Sequence, residues 1–106
     1  MVQGIVIRGT TPKHEFDLTQ PVELIDDIRV IYGQKGKALF TKTWPDCQIV
    51  GNKIVVSLLQ EETLLLKPDK LLNVEVILKL KDEQVIGSPY PITFRVVGSM
   101  NEEIID

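Results

Sequence analysis

The chain has 106 residues, a formal net charge of −3 at pH 7 and a sequence pI near 5.1. This length suits one domain. Such a domain buries about two-thirds of the unfolded chain's surface and can form a core without disulfide bonds. The acidic balance argues against a domain that binds nucleic acid through phosphate contacts. The single cysteine, Cys47, excludes an internal disulfide and the common structural zinc sites.

The N-terminal residues lack the pattern of a secretory signal. They show no basic segment followed by a long apolar stretch. No apolar run elsewhere approaches the ~18 residues that a membrane-spanning helix needs. We therefore expect synthesis in a reducing cytoplasm without a signal peptide, and no membrane insertion.

The first predicted strand covers Gly4 to Arg8 and is apolar on both faces. Ile5 and Ile7 share one face of this strand and are candidate interaction residues. An apolar strand near a terminus can join its own sheet or pair with a neighbouring subunit. We favour a strand in its own sheet and leave subunit exchange as the alternative.

Alternation with a period of two residues recurs through the chain and is typical of half-buried strands. It predicts strands over residues 14–18, 28–32, 38–43, 48–50, 53–57, 73–80 and 92–96. The segment Gly33 to Gly36 predicts a turn between two of them, and Gly51-Asn52 predicts a tight two-residue hairpin.

The segment near residues 58–66 does not alternate, and this favours one short helical turn. Ser57 followed by Gln60 fits a capping box, and the acidic Glu61 and Glu62 suit the first turn of a helix. A strand that continues into a bulge is the alternative.

The strand over residues 73–80 has the cleanest alternation and should be central in its sheet. Pro89 and Pro91 precede the strand over residues 92–96, so we interpret it as an edge strand or as a strand that starts there. Residues 99–106 form an acidic tail that we expect to fray.

These elements predict an all-β domain over residues 1–98. Short strands separated by frequent turns are typical of an antiparallel β-sandwich of the immunoglobulin-like kind, here with the one helical turn. No pattern for a cofactor or a metal ion accompanies them, and we expect neither.

Two side chains invite a catalytic interpretation, namely His14 and Cys47. They are the only histidine and the only cysteine, and no recognisable motif surrounds either of them. An enzyme is therefore the weakest class for this chain, and a packed or solvated histidine at a strand end is the expected role of His14.

Trp44 lies in a predicted loop, within Thr43 to Asp46. Tryptophan is enriched at interface hot spots and on surfaces that stack against sugars. We favour a Trp44 that caps the core, and leave open a binding role. In a carbohydrate-binding or adhesion module, Trp44 would act with Tyr32 or Tyr90.

A series of segments resembles small prophage-encoded proteins of Gram-positive bacteria. The segments are Ile7 to Phe16, Ile28 to Tyr32, Gln34 to Gly36, Gly51 to Ile54 and Leu59 to Leu64. The pattern is similar to the N-terminal β-sandwich domain of phage upper baseplate proteins, over roughly residues 5 to 97. Leu59 departs from it, since a short polar residue is expected there, and this also points to Ser57 as the helix cap.

The resemblance implies a virion component, a tail or baseplate building block that acts through protein contacts. Its implied partners are other tail or baseplate proteins and a second copy of itself. The larger relatives continue into receptor-binding segments, so direct host recognition is not part of this expectation. The resemblance assigns no individual functional residue, and a carbohydrate-binding module and a cytoplasmic regulator encoded beside phage genes remain the alternatives.

Overall fold

Strands dominate the computed structural model, which describes residues 2–87, 92–100 and 103–105. The strands are β1 (Val2–Ile7), β2 (Lys13–Asp17), β3 (Ile25–Gln34), β4 (Lys37–Thr43), β5 (Cys47–Val50), β6 (Lys53–Ser57), β7 (Leu71–Leu80), β8 (Val85–Gly87) and β9 (Ile92–Val97). One short α-helix, α1 (Gln60–Thr63), follows β6, and short 3-10 turns cover Val22–Leu24 and Trp44–Asp46.

The strands form two sheets with a common core. The large sheet has the order β1-β9-β7-β3-β4, with β8 also paired to β7, and the small sheet has the order β2-β6-β5. Inward-facing residues of both sheets are buried together, for example Tyr32 of β3 and Ile54 of β6. The all-β fold is confirmed, whereas the immunoglobulin-like arrangement stays a prediction.

The first strand lies in the large sheet of its own chain, as the favoured interpretation predicted. It runs parallel to β9, with Ile5 opposite Arg95 and Ile7 opposite Val97. Every other pairing among the described strands is antiparallel. The large sheet is therefore mixed, and the expectation of wholly antiparallel pairing is wrong for β1. A parallel pair needs a long crossover, which the chain between β1 and β9 provides.

Both predicted hairpins form. Gly51, with a φ of 59°, turns β5 into β6 as the sequence predicts. The other turn is shorter than predicted, because only Lys35 and Gly36 leave the strands, with φ angles of 54° and 73°. Positive φ at both positions suits a tight turn between twisted antiparallel strands. Gly33 belongs to β3, where it lies at a break in the register with β4.

The predicted helical turn is confirmed, and the alternative of a bulged strand is wrong. The helix is capped differently from the prediction, because Ser57 is the last residue of β6 and pairs with Lys13. Leu59 is the N-cap, and its backbone N–H donates to the Glu62 carboxylate at 2.8 Å. The helix thus keeps the glutamate half of a capping box without a polar side chain at the cap.

The predicted central strand is confirmed, since β7 lies between β3 and β9. β9 in turn lies between β1 and β7, so the edge-strand alternative is wrong for it. β9 begins at Ile92, and Pro89 and Pro91 lie outside the described residues.

The division of the chain at residue 98 stays a prediction. In the tail, the backbone N–H and C=O of Ile105 both bond the Gln60 side chain, at 2.8 and 2.9 Å.

Gly33 allows the close approach of two strands at the break in register. A Cβ atom at this position would lie 2.5 Å from the Lys37 carbonyl oxygen, a backbone atom that cannot rotate away. We predict that Gly33→Ala lowers the free energy of unfolding by about 2 kcal/mol through overpacking. Urea unfolding measures the change.

Gly87→Ala is the matched control, because a Cβ atom there meets open space. We expect it to change the free energy of unfolding by less than about 0.5 kcal/mol. Equal losses in the two variants would contradict the close approach at Gly33.

Candidate functional site

Two of the predicted interaction residues lie on the outer face of β1. Ile5 is 58% exposed and Ile7 is 46% exposed, while Val6 between them is fully buried. Register places Ile5 beside Arg95 of β9 and Arg95 beside Leu71 of β7, which is 50% exposed. We call Ile5, Ile7 and Leu71 the outer strip. It presents apolar side chains from the large sheet to solvent.

Sequence reasoning missed Leu71, the third member of the outer strip. Leu71 precedes the predicted strand over residues 73–80 and shares the outward phase of Asn73 and Glu75. The available signal was a leucine at an outward position, where solvent-facing strand residues are usually polar.

Trp44 lies apart from the outer strip. It begins the 3-10 turn after β4, the edge strand opposite β1 in the large sheet. The Asp46 carboxylate holds this turn by accepting from the backbone N–H and the hydroxyl of Thr43, at 3.0 and 3.1 Å. These hydrogen bonds lower the pKa of Asp46. The half-buried indole packs against the core, as core capping predicts.

His14 joins the two sheets in the interior. Its ring lies on β2 of the small sheet and stacks on Phe94 of β9, with a centroid distance of 4.2 Å. Its Nδ1 lies 3.0 Å from the hydroxyl of Tyr32 on β3, with which it shares a buried hydrogen bond. Burial lowers the pKa of His14 to about 4 and raises the pKa of Tyr32. Both groups are therefore neutral near pH 7.

The two residues considered for catalysis lie in one row of the small sheet but are not neighbours. Val56 of β6 pairs with His14 on one side and with Cys47 on the other. Two strand spacings separate their backbones by about 10 Å. The His14 Nδ1 is already bonded to Tyr32. Burial also raises the pKa of the Cys47 thiol, with a smaller contribution from Asp46. The arrangement provides no activated thiolate beside a base.

A buried ion pair ties β4 to α1. Lys42 is 6% exposed, and its Nζ lies 2.6 Å from Oε1 of Glu62. The same carboxylate oxygen accepts the Leu59 N–H that begins the helix. Sequence analysis did not single out this lysine, although alternation over residues 38–43 places it on the face of Phe40. A lysine in the inward phase of a strand was the signal for a paired buried charge.

Two further buried polar residues hold the connections between elements. The fully buried Thr63 donates to Thr10 O and accepts from Gly9 N–H, at 2.8 and 3.0 Å. The Gln34 side chain donates to Lys67 O and accepts from Lys67 N–H, at 3.0 and 2.8 Å. These polar groups serve the fold, because their hydrogen bonds are made within the chain.

Neither a metal centre nor a membrane span emerges from the described residues. No group of three or more potential metal-ligating residues occurs among them. None of their helices is long and apolar enough to cross a membrane. Comparison of the sequence with models of known protein families finds no match, and comparison with curated proteins finds none either.

The burial of His14 makes stability depend on pH. Below its ordinary pKa of 6.5, the unfolded chain takes up a proton that the native ring resists until about pH 4. The free energy of unfolding is therefore highest at neutral pH, and it decreases as the pH falls from about 6.5 to about 4. We expect a loss of about 2 kcal/mol between about pH 7.5 and pH 5.

Urea unfolding at several pH values measures this loss. His14→Phe is the comparison, since phenylalanine keeps an aromatic ring and removes the only histidine. We expect its free energy of unfolding to vary much less with pH in the same window. A variant with the same slope as the wild type would rule out His14 as the titrating group.

Removing one partner of the Lys42–Glu62 pair leaves a buried ammonium without its carboxylate. We predict that Glu62→Gln lowers the free energy of unfolding by about 3 kcal/mol. The exposed pair between Lys79 and Glu83, at 3.5 Å, provides the control. Glu83→Gln should change stability by less than about 0.5 kcal/mol.

The double variant Lys42→Met with Glu62→Gln tests the cause of that loss. It removes both charges, so it should recover most of the stability lost in Glu62→Gln alone. Failure to recover would assign the loss to the cap of α1 at Leu59, because the same carboxylate serves both.

Proposed function

We propose that this chain is a structural building block of a phage or prophage tail or baseplate and acts through protein contacts. The outer strip carries the proposal. Ile5, Ile7 and Leu71 are each about half exposed on one face of the large sheet. The exposed Arg95 lies between Ile5 and Leu71 in register, and exposed apolar side chains beside an arginine are typical of protein interaction sites.

The interior supports the same proposal. The buried polar side chains His14, Lys42 and Thr63 all bond to other groups of the chain. They stabilise the positions of the sheets and of α1. Because these buried groups bond within the chain, a partner would contact the described structure at its surface.

The assignment to a phage particle rests on the resemblance of the segments between residues 7 and 64. That resemblance is to proteins that work by assembly, and it agrees with a domain that exposes three apolar side chains on one face of a sheet. We propose a tail or baseplate protein as the partner of the outer strip.

The alternative of a carbohydrate-binding module receives less support. Sugar sites use exposed aromatic rings, and one of the candidates, Tyr32, is fully buried. The expectation that Tyr32 could act as a stacking platform is therefore wrong. Trp44 is half buried against the core, and Tyr90 lies outside the described residues.

The test is to induce phage particles from the source bacterium, purify them on a density gradient and quantify peptides of this chain. We expect the chain in intact particles at a stoichiometry that matches tail proteins. Its absence from particles, with the protein present in the lysate, would refute a virion role and favour an assembly factor or a regulator.

Chromosomal variants link incorporation to the outer strip. Leu71→Lys places a charge on the strip, and we expect it to lower incorporation into particles several-fold. Val50→Lys is the control, since Val50 is also about half exposed, but lies on the small sheet. Equal incorporation of both variants would show that the strip is not the contact surface.

A further inference from the structure

Charge is distributed unevenly between the two ends of the large sheet. β3 and β7 run antiparallel over ten residues each, so the two ends of this pair lie about 30 Å apart. Residues 34–37 and 67–70 lie at one end, and we call them the basic end. Residues 23–27 and 80–84 lie at the other, and we call them the acidic end. The two ends face in opposite directions along the strands.

The basic end contains four lysines and one acidic residue, Asp69. The lysines are Lys35, Lys37, Lys67 and Lys70. They are exposed or half-buried, and none of them forms an ion pair with another described residue. The positive charge of this end is therefore available to a partner.

The fold holds these lysines together. The buried Gln34 side chain donates to Lys67 O and Lys70 O, at 3.0 and 3.4 Å, and accepts from the Lys67 N–H at 2.8 Å. These bonds attach the segment before β7 to the hairpin turn that carries Lys35. Contact with the Lys70 amine, which also has a like charge, lowers the pKa of Lys35. Like charges held this close repel each other, and an acidic partner would relieve the repulsion.

The acidic end contains five acidic residues and one lysine. Three of the acidic side chains already have partners, two in exposed ion pairs and one as the acceptor of a backbone N–H. The pairs join Asp27 to Arg29 and Glu83 to Lys79, and the acceptor is Asp82. The exposed Glu23 and Asp26 form no ion pair with a described residue. Unpaired negative charge therefore faces solvent at this end.

Each end also exposes an apolar side chain beside its charges. Leu24 at the acidic end is 49% exposed. The hydrogen bond from the Lys81 N–H to Leu24 O, at 2.9 Å, attaches the 3-10 turn that carries Leu24 to the end of β7. The exposed Pro68 lies between Lys67 and Asp69 at the basic end. An apolar centre with a polar rim is the usual composition of a protein interface.

We propose that copies of this chain associate end to end, with the basic end of one copy against the acidic end of the next. The charges of the two ends are opposite, so encounter in this orientation is favoured and contact between two like ends is disfavoured. The interface is heterologous, because the two copies contribute different surfaces. Each copy in a pair keeps one free end, so association continues beyond the dimer.

The contact is small and mainly electrostatic, so we expect weak association that increases with concentration. The proposal rests on the proposed function only for its setting, a particle that holds many copies close together. It is tested on the purified chain alone, so its failure and the absence of the chain from particles are separate results.

Sedimentation equilibrium at low salt, over a wide range of concentration, measures the self-association of designed variants. Lys37→Glu with Lys67→Glu leaves acidic residues in excess at the basic end. Glu23→Lys with Asp26→Lys leaves basic residues in excess at the acidic end, counted with the basic partners of its two ion pairs. Each variant then carries like charge at both ends, and we expect self-association weaker by more than about tenfold. An equimolar mixture should associate again, because the ends of one variant are complementary to the ends of the other.

The matched controls make the same changes of charge on the small sheet. Lys13→Glu with Lys53→Glu repeats the first change, and Glu15→Lys with Asp17→Lys repeats the second. These side chains are exposed on β2 and β6, so end-to-end contact predicts wild-type association for both controls. Circular dichroism verifies that each variant is folded.

Salt gives a second readout. At about 1 M salt the screening length falls to about 3 Å, so attraction between exposed charges is largely removed. We expect the self-association of the wild-type chain to weaken several-fold between low salt and this concentration.

Four results would overturn the proposal. The first is a wild-type chain that stays monomeric at low salt and the highest soluble concentration, including one whose basic end binds a DNA oligonucleotide instead. The second is equal weakening by the small-sheet controls, which would indicate an effect of net charge alone. The third is a mixture of the two end variants that stays monomeric. The fourth is wild-type association that salt leaves unchanged, which would indicate an apolar contact elsewhere.

Discussion

The contact of the His14 ring with Tyr32 and Phe94 holds the two sheets of this domain together. His14 comes from the small sheet, whereas Tyr32 and Phe94 come from two strands of the large one. The imidazole stacks like an apolar aromatic ring, and it also satisfies the buried Tyr32 hydroxyl, which would otherwise lose a hydrogen bond on leaving water. Phe40 continues the stack beyond Tyr32. Sheet-to-sheet packing alone is non-directional, so this hydrogen bond adds the specificity that aligns β2 with β3.

The remaining buried polar groups attach the irregular segments to that frame. The Lys42–Glu62 pair fixes α1 against β4, and Thr63 fixes the turn after β1 against α1. Gln34 does the same for the connection into β7. A domain of this size has a limited core, so each such contact is a substantial part of a marginal stability. These side chains already bond to other groups of the chain and do not form a reactive cluster. We therefore place the proposed function at the surface.

Local pattern was enough to predict eight of the nine described strands and both hairpins, because alternation and positive-φ turn residues act over a few positions. The strand β8 was not predicted, since its three residues are too few to show alternation. The helical turn near residues 58–66 was predicted for the same reason. Parallel pairing of β1 with β9 was not predicted, since alternation shows which face is buried but not which strand is adjacent. The prediction that Ser57 caps the helix is wrong, because β6 extends to Ser57 and Leu59 is the N-cap. Ile5 and Ile7 were found as surface candidates from one apolar strand, but their alignment with Leu71 depends on the register of three strands.

The parallel pairing of β1 with β9 decides which side chains of the N-terminal strand face solvent. Its register places Ile5 beside Arg95, and Arg95 lies beside Leu71 of β7. A shift of this register by one residue would turn Ile5 and Ile7 toward the core and Val6 toward solvent. The pairing that buries Val6 therefore also places the outer strip on the surface, so β1 contributes both to the core and to the proposed contact surface.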